Sequence, residues 1–294
     1  MKIYQVDVFT LERFAGNPAG VVLDADGLGE ARMQAIAREL NNSETAFVLA
    51  PDGSDHEVRV RYFTPSVEVP TCGHATVAAH FVRATVLGLP ACRVMAKIGI
   101  GVLPVDIARD GLGYVITMTQ GAVEVSPDLA ETHQARILAA LGVGVADRDE
   151  RMPMRISSTG HSKVMVGLKQ EAVLHGLAPN LLELAAISGE IGCNGYYCFT
   201  YNEEEAIPVH GRMFAPAIGI AEDPVTGNAN GPLGGYLVNL GFGPASGEFL
   251  FRARQGEAMG RPGEIDVRVE VEGGKPNLVQ VSGRAVMVFE AEVE

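Results

Sequence analysis

The sequence predicts an α/β (α+β) fold made of two similar, pseudo-symmetric domains. Segments typical of strands and of helices are interleaved along all 294 residues. Several segments of the first half also recur, in the same order, in the second half. A chain that is 47% hydrophobic has enough apolar side chains for two cores of ordinary size. We therefore expect two compact domains of roughly 150 residues each.

Strands are predicted where apolar and polar residues alternate, because successive side chains of a strand point to opposite faces. This pattern occurs at residues 4–8 and 57–62. Between them, Met33, Ile36, Ala37 and Leu40 recur with the spacing of one helical face. The strand pattern returns in the second half, at residues 164–166, 197–199, 265–271 and 279–289.

An internal repeat is the most informative feature. Four segments correspond in order: 16–17 to 160–161, 36–40 to 187–191, 61–65 to 212–216, and 71–75 to 225–229. The offset is 144 residues for the first pair, 151 for the next two and 154 for the last. A period this long excludes a solenoid and indicates a duplicated half-chain. We expect the two halves to face one another across a pseudo-two-fold axis, with a ligand cleft between them.

Charge and cysteine usage exclude several classes of protein. The chain has 23 Lys and Arg against 36 Asp and Glu, for a formal charge of −13, whereas nucleic acids and anionic membranes attract basic proteins. The N-terminal residues do not have the pattern of a secretory signal. The four cysteines are scattered, which disfavours both a disulfide framework and a structural zinc site. We expect a cytoplasmic protein without metal ligands.

Two matched loops indicate how a ligand is held. Gly73-His74 and Gly227-Asn228 each precede a helical pattern. The start of a helix presents backbone N–H groups and a partial positive charge, so it can receive a carboxylate. Two such starts predict a small carboxylate-bearing ligand.

Six motifs resemble those of the PhzF-like, phenazine-biosynthesis-type isomerases, over essentially the whole chain. They are S-E-T-A-F (43–47), R-Y-F-T-P (61–65), C-G-H-A-T (72–76), E-D-P-V-T-G-N-A (222–229), Q-G (255–256) and G-R-P (260–262). The likeness is greatest to the uncharacterised, broadly distributed members. It implies the diaminopimelate epimerase-like fold, in which each domain wraps a bent sheet around a central helix. The expected domains are 1–117, with a returning strand at about 280–294, and 118–279. The resemblance also implies a homodimer.

The resemblance also implies roles for individual residues. Glu44 would be the general acid/base, and His74 and Asp223 would orient the substrate. The remaining expected pocket residues are Ser43, Cys72, Gly73, Gly227 and Asn228. No cofactor is expected. The phenazine enzymes tend to have Ser where this chain has Asn228, which argues against the phenazine precursor as the substrate.

Alternatives remain open for the chemistry. Racemases of this fold use one thiol in each half, but this chain has Cys72 in one half and Thr226 in the other, and a threonine hydroxyl is too weak an acid to replace a thiol. Cys72 acting as a nucleophile with His74 is disfavoured, because no third group that would orient His74 is evident. The rivals are therefore an epimerase, racemase or dehydratase that uses Cys72, and a carboxylate-binding protein without turnover.

Overall fold

The structure is a computed structural model that describes residues 1–293. Its contacts divide the chain into two compact units. The first unit contains residues 1–119 together with the C-terminal residues from 282 onward, and the second contains residues 120–281.

The helices and strands follow one another in an interleaved order. Residues 1–119 form β1 (Lys2–Val8), β2 (Asn17–Val22), α1 (Glu30–Leu40), β3 (Thr45–Leu49), β4 (Val58–Phe63), β5 (Glu68–Val69), α2 (Gly73–Leu87), β6 (Cys92–Ile98), β7 (Gly101–Asp110) and β8 (Gly113–Thr119). The rest of the chain forms β9 (Glu124–Asp128), α3 (Glu131–Leu141), β10 (Arg155–Ser158), β11 (Lys163–Gly167), α4 (Glu171–His175), α5 (Leu181–Ile191), β12 (Tyr196–Tyr201), β13 (Val209–Ala215), β14 (Ile220–Asp223), α6 (Gly227–Asn239), β15 (Gly247–Gln255), β16 (Gly263–Glu272), β17 (Lys275–Gly283) and β18 (Ala285–Glu292).

The sheet of the first unit wraps around α2. Its hydrogen-bonded order is β18-β1-β2-β3-β4-β6-β7-β8, with β5 also on β4. The pairs β2–β3 and β4–β6 are parallel, and the others are antiparallel. Helix α2 contacts strands from both ends of this order, β18 and β8, as well as strands between them. A flat sheet could not do this, so the predicted bent sheet around a central helix is confirmed.

The second unit repeats this arrangement around α6. Its order is β9-β10-β11-β12-β13-β15-β16, with β14 on β13. Here too one parallel pair, β11–β12, precedes another, β13–β15. Helix α6 contacts β9, β10, β11, β15 and β16.

The strand register confirms the predicted repeat. Thr45 lies opposite Phe63 in the first unit, and Tyr196 lies opposite Phe214 in the second, each residue shifted by 151. Because a slip of one residue would turn every side chain to the other face, this agreement extends to which residues are buried. The cores agree as well: Ile36 packs with Phe63, and Ile187 packs with Phe214.

One detail differs from the sequence prediction. The alternation at 279–289 predicts one strand, but the structure has β17 and β18, separated at Arg284. There the Phe9 N–H donates to the Arg284 carbonyl at 2.7 Å, and a Cβ on Gly283 would lie 2.3 Å from the Phe9 ring. No helix within residues 1–293 is long and apolar enough to cross a membrane.

Candidate active site

The turn after α1 positions Ser43 and Glu44. Asn41 ends the helix in the left-handed region, with φ 53°, a conformation that Asn tolerates better than most residues. The side-chain amides of Asn42 and Gln5 then donate to each other, at 2.8 and 3.0 Å. These two contacts hold the backbone immediately before β3, and they therefore fix the position from which the Glu44 side chain extends.

A bidentate ion pair fixes the hairpin that leads into each central helix. Arg61 donates from Nε and Nη2 to Glu68, at 2.7 and 2.6 Å. Arg212 donates in the same way to Glu222, at 2.8 Å for both contacts. Such forked pairs fix direction as well as distance. The R-Y-F-T-P motif and its repeat are therefore structural: they orient the strands that deliver the chain to the starts of α2 and α6.

A buried tyrosine supports each helix start. The Tyr62 hydroxyl donates to Thr76 Oγ1 at 2.6 Å, and Thr76 donates to the carbonyl of Cys72 at 2.6 Å. In the second unit Tyr197 donates to Asn230 at 2.6 Å, and Asn230 donates to the carbonyl of Thr226 at 3.0 Å. Burial raises the pKa of both tyrosines, so each phenol remains a hydrogen-bond donor.

Cys72 is the N-cap of α2, followed by Gly73 and then His74, whose side chain lies at the centre of a compact cluster. Its Nε2 lies 3.4 Å from Oε2 of Glu44 and 3.3 Å from Oγ of Ser43. Its Nδ1 lies 3.6 Å from Sγ of Cys72. The side chain of Glu44 is 14% exposed and that of His74 is 7% exposed, so the carboxylate is shielded but still reachable. The structure thus brings together Ser43, Glu44, Cys72, Gly73 and His74.

This arrangement overturns one expectation from the sequence. A third group does orient His74, because Glu44 contacts the ring nitrogen opposite Cys72. In the tautomer with its proton on Nε2, the protonated nitrogen lies beside the Ser43 hydroxyl and the Glu44 carboxylate, and Nδ1 accepts from the thiol. The cluster is therefore a connected thiol–imidazole–carboxylate chain rather than a lone glutamate beside a helix cap.

The same three side chains have the composition of a metal-ligand set. A ligand atom from each of Glu44, Cys72 and His74 lies within 4.8 Å of the other two. Thiolate, imidazole and carboxylate together suit a zinc-type ion. The three side chains also contact one another directly, at 3.4 Å between His74 and Glu44 and 3.6 Å between His74 and Cys72.

In the second unit Asp223 belongs to a different kind of network. Thr226, the N-cap of α6, donates its hydroxyl to the Asp223 carboxylate. The fully buried Gln255 donates to the Asp223 carbonyl at 2.7 Å and accepts from the backbone N–H of Thr226 at 3.1 Å. A Cβ on the next residue, Gly256, would lie 2.2 Å from the Arg261 carbonyl. The Q-G motif therefore fixes the loop that carries Asp223.

Gly227 and Asn228, the first residues of α6, have a further polar neighbour. Gln120 donates to the Gly227 carbonyl at 3.0 Å and lies 3.4 Å from the Asn228 side-chain oxygen. Thr159 donates to the other end of the Gln120 amide at 2.8 Å. Neither N-cap residue, Cys72 or Thr226, caps its helix with its own side chain. Both first turns can therefore receive an anion through backbone N–H groups.

Lys163 is a site neighbour that sequence analysis missed. It is 3% exposed and donates to the Ser162 carbonyl at 3.2 Å. Burial lowers the pKa of Lys163 to about 8, against the opposing attraction of Cys193 and Asp223. A single lysine at the start of an apolar strand carries no sequence signal, because its burial depends on the partners that the fold supplies.

The two units differ at the position of the carboxylate. Gly195 occupies the place of Glu44 in the repeat, and a Cβ there would lie 2.5 Å from the Phe214 carbonyl. The backbone contact is kept, because the carbonyls of Glu44 and Gly195 accept from Gly20 and Val164, respectively. Only the first unit therefore has room for a glutamate at this position.

Comparison with known proteins identifies the family. A family model described as "phenazine biosynthesis-like protein" matches residues 6–291. An uncharacterised isomerase of Clostridium acetobutylicum is 50% identical over 293 residues, which cover 99% of this chain and 97% of that protein. The trans-2,3-dihydro-3-hydroxyanthranilate isomerase of Pseudomonas aeruginosa is 32% identical over 287 residues, with coverage of 97% and 96%.

Solved structures agree with this result. A PhzF-family phenazine biosynthesis protein of Bacillus anthracis superposes with a TM-score of 0.90 at 32% identity, over 100% of this chain and 99% of that one. A hydroxyproline epimerase of Agrobacterium vitis shares the fold, with a TM-score of 0.62 at 14% identity and coverage of 99% and 91%. As its motifs predict, the chain belongs to the phenazine biosynthesis-like family and is an enzyme of the isomerase class.

Proposed function

We propose that this isomerase moves a proton within a small carboxylate-bearing cyclic or unsaturated amino or hydroxy acid, without a cofactor, and that Glu44 is its general acid/base. The contact between Glu44 and His74 at 3.4 Å carries the proposal. A carboxylate must be held close to the carbon acid and must return the same proton at another atom. His74 Nε2 lies beside Oε2 of this carboxylate, and we propose that the other oxygen faces the substrate.

The adjacent helix start supports the same proposal. Glu44 contacts the second residue of α2, so a substrate carboxylate held by the N–H groups of that first turn would lie beside the base. Asp223 is proposed to orient the amine or hydroxyl of the substrate, with Gly227 and Asn228 lining the pocket. The Pseudomonas aeruginosa relative is named for a dihydro-hydroxyanthranilate, which has the ring and carboxylate that this chemistry requires.

Proton exchange in D₂O tests the proposal across many candidate substrates at once. The protein is incubated with a panel of cyclic and unsaturated amino and hydroxy acids, including dihydro-hydroxyanthranilate, and deuterium uptake is read by mass. We expect uptake at the atoms that lose and regain the proton. Glu44→Gln should lower the rate by about 10²- to 10⁴-fold, with the circular dichroism spectrum unchanged. Exchange by this variant at the wild-type rate would exclude Glu44 as the base.

The thiol–imidazole contact favours a second candidate, an epimerase or dehydratase that uses Cys72. Its Sγ lies 3.6 Å from His74 Nδ1, which is the arrangement that activates a thiol. Cys72→Ser distinguishes the two candidates in the same assay. If Cys72→Ser has a small effect and the wild-type enzyme exchanges protons at two different atoms, Glu44 is supported as the base. If Cys72→Ser loses activity and the wild-type enzyme exchanges only the proton on the α-carbon, the thiol is supported.

A further inference from the structure

A second group of metal-type ligands lies in the second unit, on elements that the proposed reaction does not use. Glu171 and His175 are one helical turn apart on α4 and therefore share a face. His210 lies on β13, which contacts α4. One ligand atom from each of these three residues lies within 4.8 Å of the other two.

His210 is held between two carboxylates, one at each ring nitrogen. Its Nδ1 lies 2.9 Å from Oε2 of Glu257, and its Nε2 lies 3.6 Å from Oε1 of Glu171. The short contact places the proton on Nδ1, so the lone pair on Nε2 faces Glu171. A carboxylate that orients a histidine in this way is the usual companion of a metal-binding imidazole.

We infer that Glu171, His175 and His210 form a binding site for a divalent transition-metal ion of the zinc type, with Glu257 positioning His210. Two imidazoles and one carboxylate are a donor set that zinc accepts. Neighbouring ligand atoms in a tetrahedral zinc site are about 3.3 Å apart. The separation of 3.6 Å between Glu171 and His210 therefore needs only a small closure.

The site is open to solvent on one side. A cavity of about 210 Å³ is lined by Glu171 and His210, among other residues. The side chains of Glu171 and His175 are 42% and 33% exposed, whereas that of His210 is 11% exposed. An ion can therefore enter from the cavity, and water can complete its coordination.

The charge balance around the site also permits a cation. Arg212 donates to the carbonyl of His175 at 3.2 Å, but its own charge is compensated by the bidentate pair with Glu222. The alternative is a network of protonated histidines paired with Glu171 and Glu257. Of the three histidine–glutamate contacts, that of His210 with Glu257 is 2.9 Å, and the other two are 3.6 and 3.7 Å. These two distances are long for direct hydrogen bonds, so a network of this kind would contain one short pair.

Such an ion would join α4 to β13 directly. Through Glu257, it would also fix the loop that follows Gln255. Because an ion that binds only the folded chain stabilises it, the expected effect is a higher Tm of the second unit with zinc.

The test uses the full chain after treatment with a chelator and dialysis. Calorimetric titration with ZnCl₂ should give one ion per chain, and Co²⁺ should give a visible d–d spectrum without a thiolate charge-transfer band. A thiolate band would place the ion at Cys72 and overturn the inference, as would the absence of Zn²⁺ binding by the wild-type chain.

Variants locate the ion independently. His210→Ala and Glu171→Gln should abolish saturable binding and the zinc-dependent rise in Tm. Glu257→Gln should weaken binding about 10- to 100-fold. His133→Ala is the matched control, because His133 contacts Glu190 and lies on α3; it should bind as the wild type does. If His210→Ala does not fold, the half-exposed Glu171→Gln decides the matter. Wild-type zinc affinity in Glu171→Gln would overturn the assignment.

Discussion

The imidazole of His74 and the carboxylate of Glu44 lie 3.4 Å apart, although thirty positions separate them in the chain. Two separate devices produce this contact. The amide pair of Asn42 with Gln5 places the glutamate, and the chain from Tyr62 through Thr76 to the Cys72 carbonyl places the start of α2. The geometry of the proposed base is therefore set by side chains outside the proposed set of pocket residues.

His74→Asn tests whether the imidazole orients Glu44. The contact of 3.4 Å between His74 and Glu44 is longer than a normal hydrogen bond, so its loss should slow proton exchange by about 10-fold, at the lower end for a bond to a charged group. This loss should be smaller than that of Glu44→Gln and should appear in kcat more than in KM. Steady-state kinetics on the compound found in the D₂O panel measure it. Equal losses in the two variants would instead give His74 a direct part in proton transfer.

Much of the fold could be predicted from the sequence because the repeat preserves spacing. The match of 61–65 with 212–216 predicts equivalent strands, and the structure has Arg61 and Arg212 opposite Phe47 and Cys198 in the same register. The resemblance also selected residues that the structure groups around His74 in the first unit. These residues lie in two short segments, 43–44 and 72–74, and a motif specifies the order of residues within such a segment.

The supporting contacts could not be predicted, because the same space is filled from different strands. Tyr62 lies opposite Ala46 in the first unit, whereas Tyr197 lies opposite Met213 in the second. Each hydroxyl reaches the second turn of its central helix, yet the two tyrosines do not align in the repeat. An alignment compares positions, whereas packing requires only that one of two facing strands supply the ring.

Gln255→Ala tests the network behind Asp223. The fully buried amide contacts the carbonyl of Asp223 and the N–H and hydroxyl of Thr226. Its removal takes away the hydrogen bonds to the Asp223 carbonyl and the Thr226 N–H, at about 1–3 kcal/mol for each buried group, whereas the Thr226 hydroxyl keeps its bond to the Asp223 carboxylate. We expect a loss of at least 2 kcal/mol in the free energy of unfolding, by order of magnitude, measured by urea denaturation.

Gln34→Ala is the matched control for that experiment. Gln34 is half-buried and donates to the Thr64 carbonyl at 2.8 Å, so we expect a loss of about 1 kcal/mol or less. If the two substitutions had the same cost, the network around Gln255 would contribute no more than an ordinary hydrogen bond.

Lys163→Met should remove part of the pH dependence of the free energy of unfolding at alkaline pH. Burial lowers the pKa of Lys163 from 10.5 to about 8, so between these values the unfolded chain binds more protons than the folded one. Stability from this group therefore rises with pH across that window, by about 3 kcal/mol in total. The variant should be more stable than the wild type at pH 7, and the difference should shrink towards pH 10.5. Denaturation curves at several pH values measure it; a variant less stable at pH 7 would show that the attraction of Asp223 and Cys193 outweighs burial.

His80→Leu should remove part of the pH dependence of the free energy of unfolding at acidic pH. His80 is fully buried, and its Nε2 has no hydrogen-bond partner among residues 1–293. Burial lowers the pKa of His80 from 6.5 to about 3, with a smaller contribution from Arg83. Between these values the unfolded chain takes up the proton and the folded chain does not, so stability from this group is present above pH 6.5 and is lost as the pH falls towards 3. The full loss is about 5 kcal/mol by order of magnitude.

Leucine fills the site without a titrating group, so the variant should lose less stability than the wild type between pH 7 and pH 4.5. Equal losses in the two proteins would mean that the folded chain opens to protonate His80 at little cost, and that its acid sensitivity lies elsewhere.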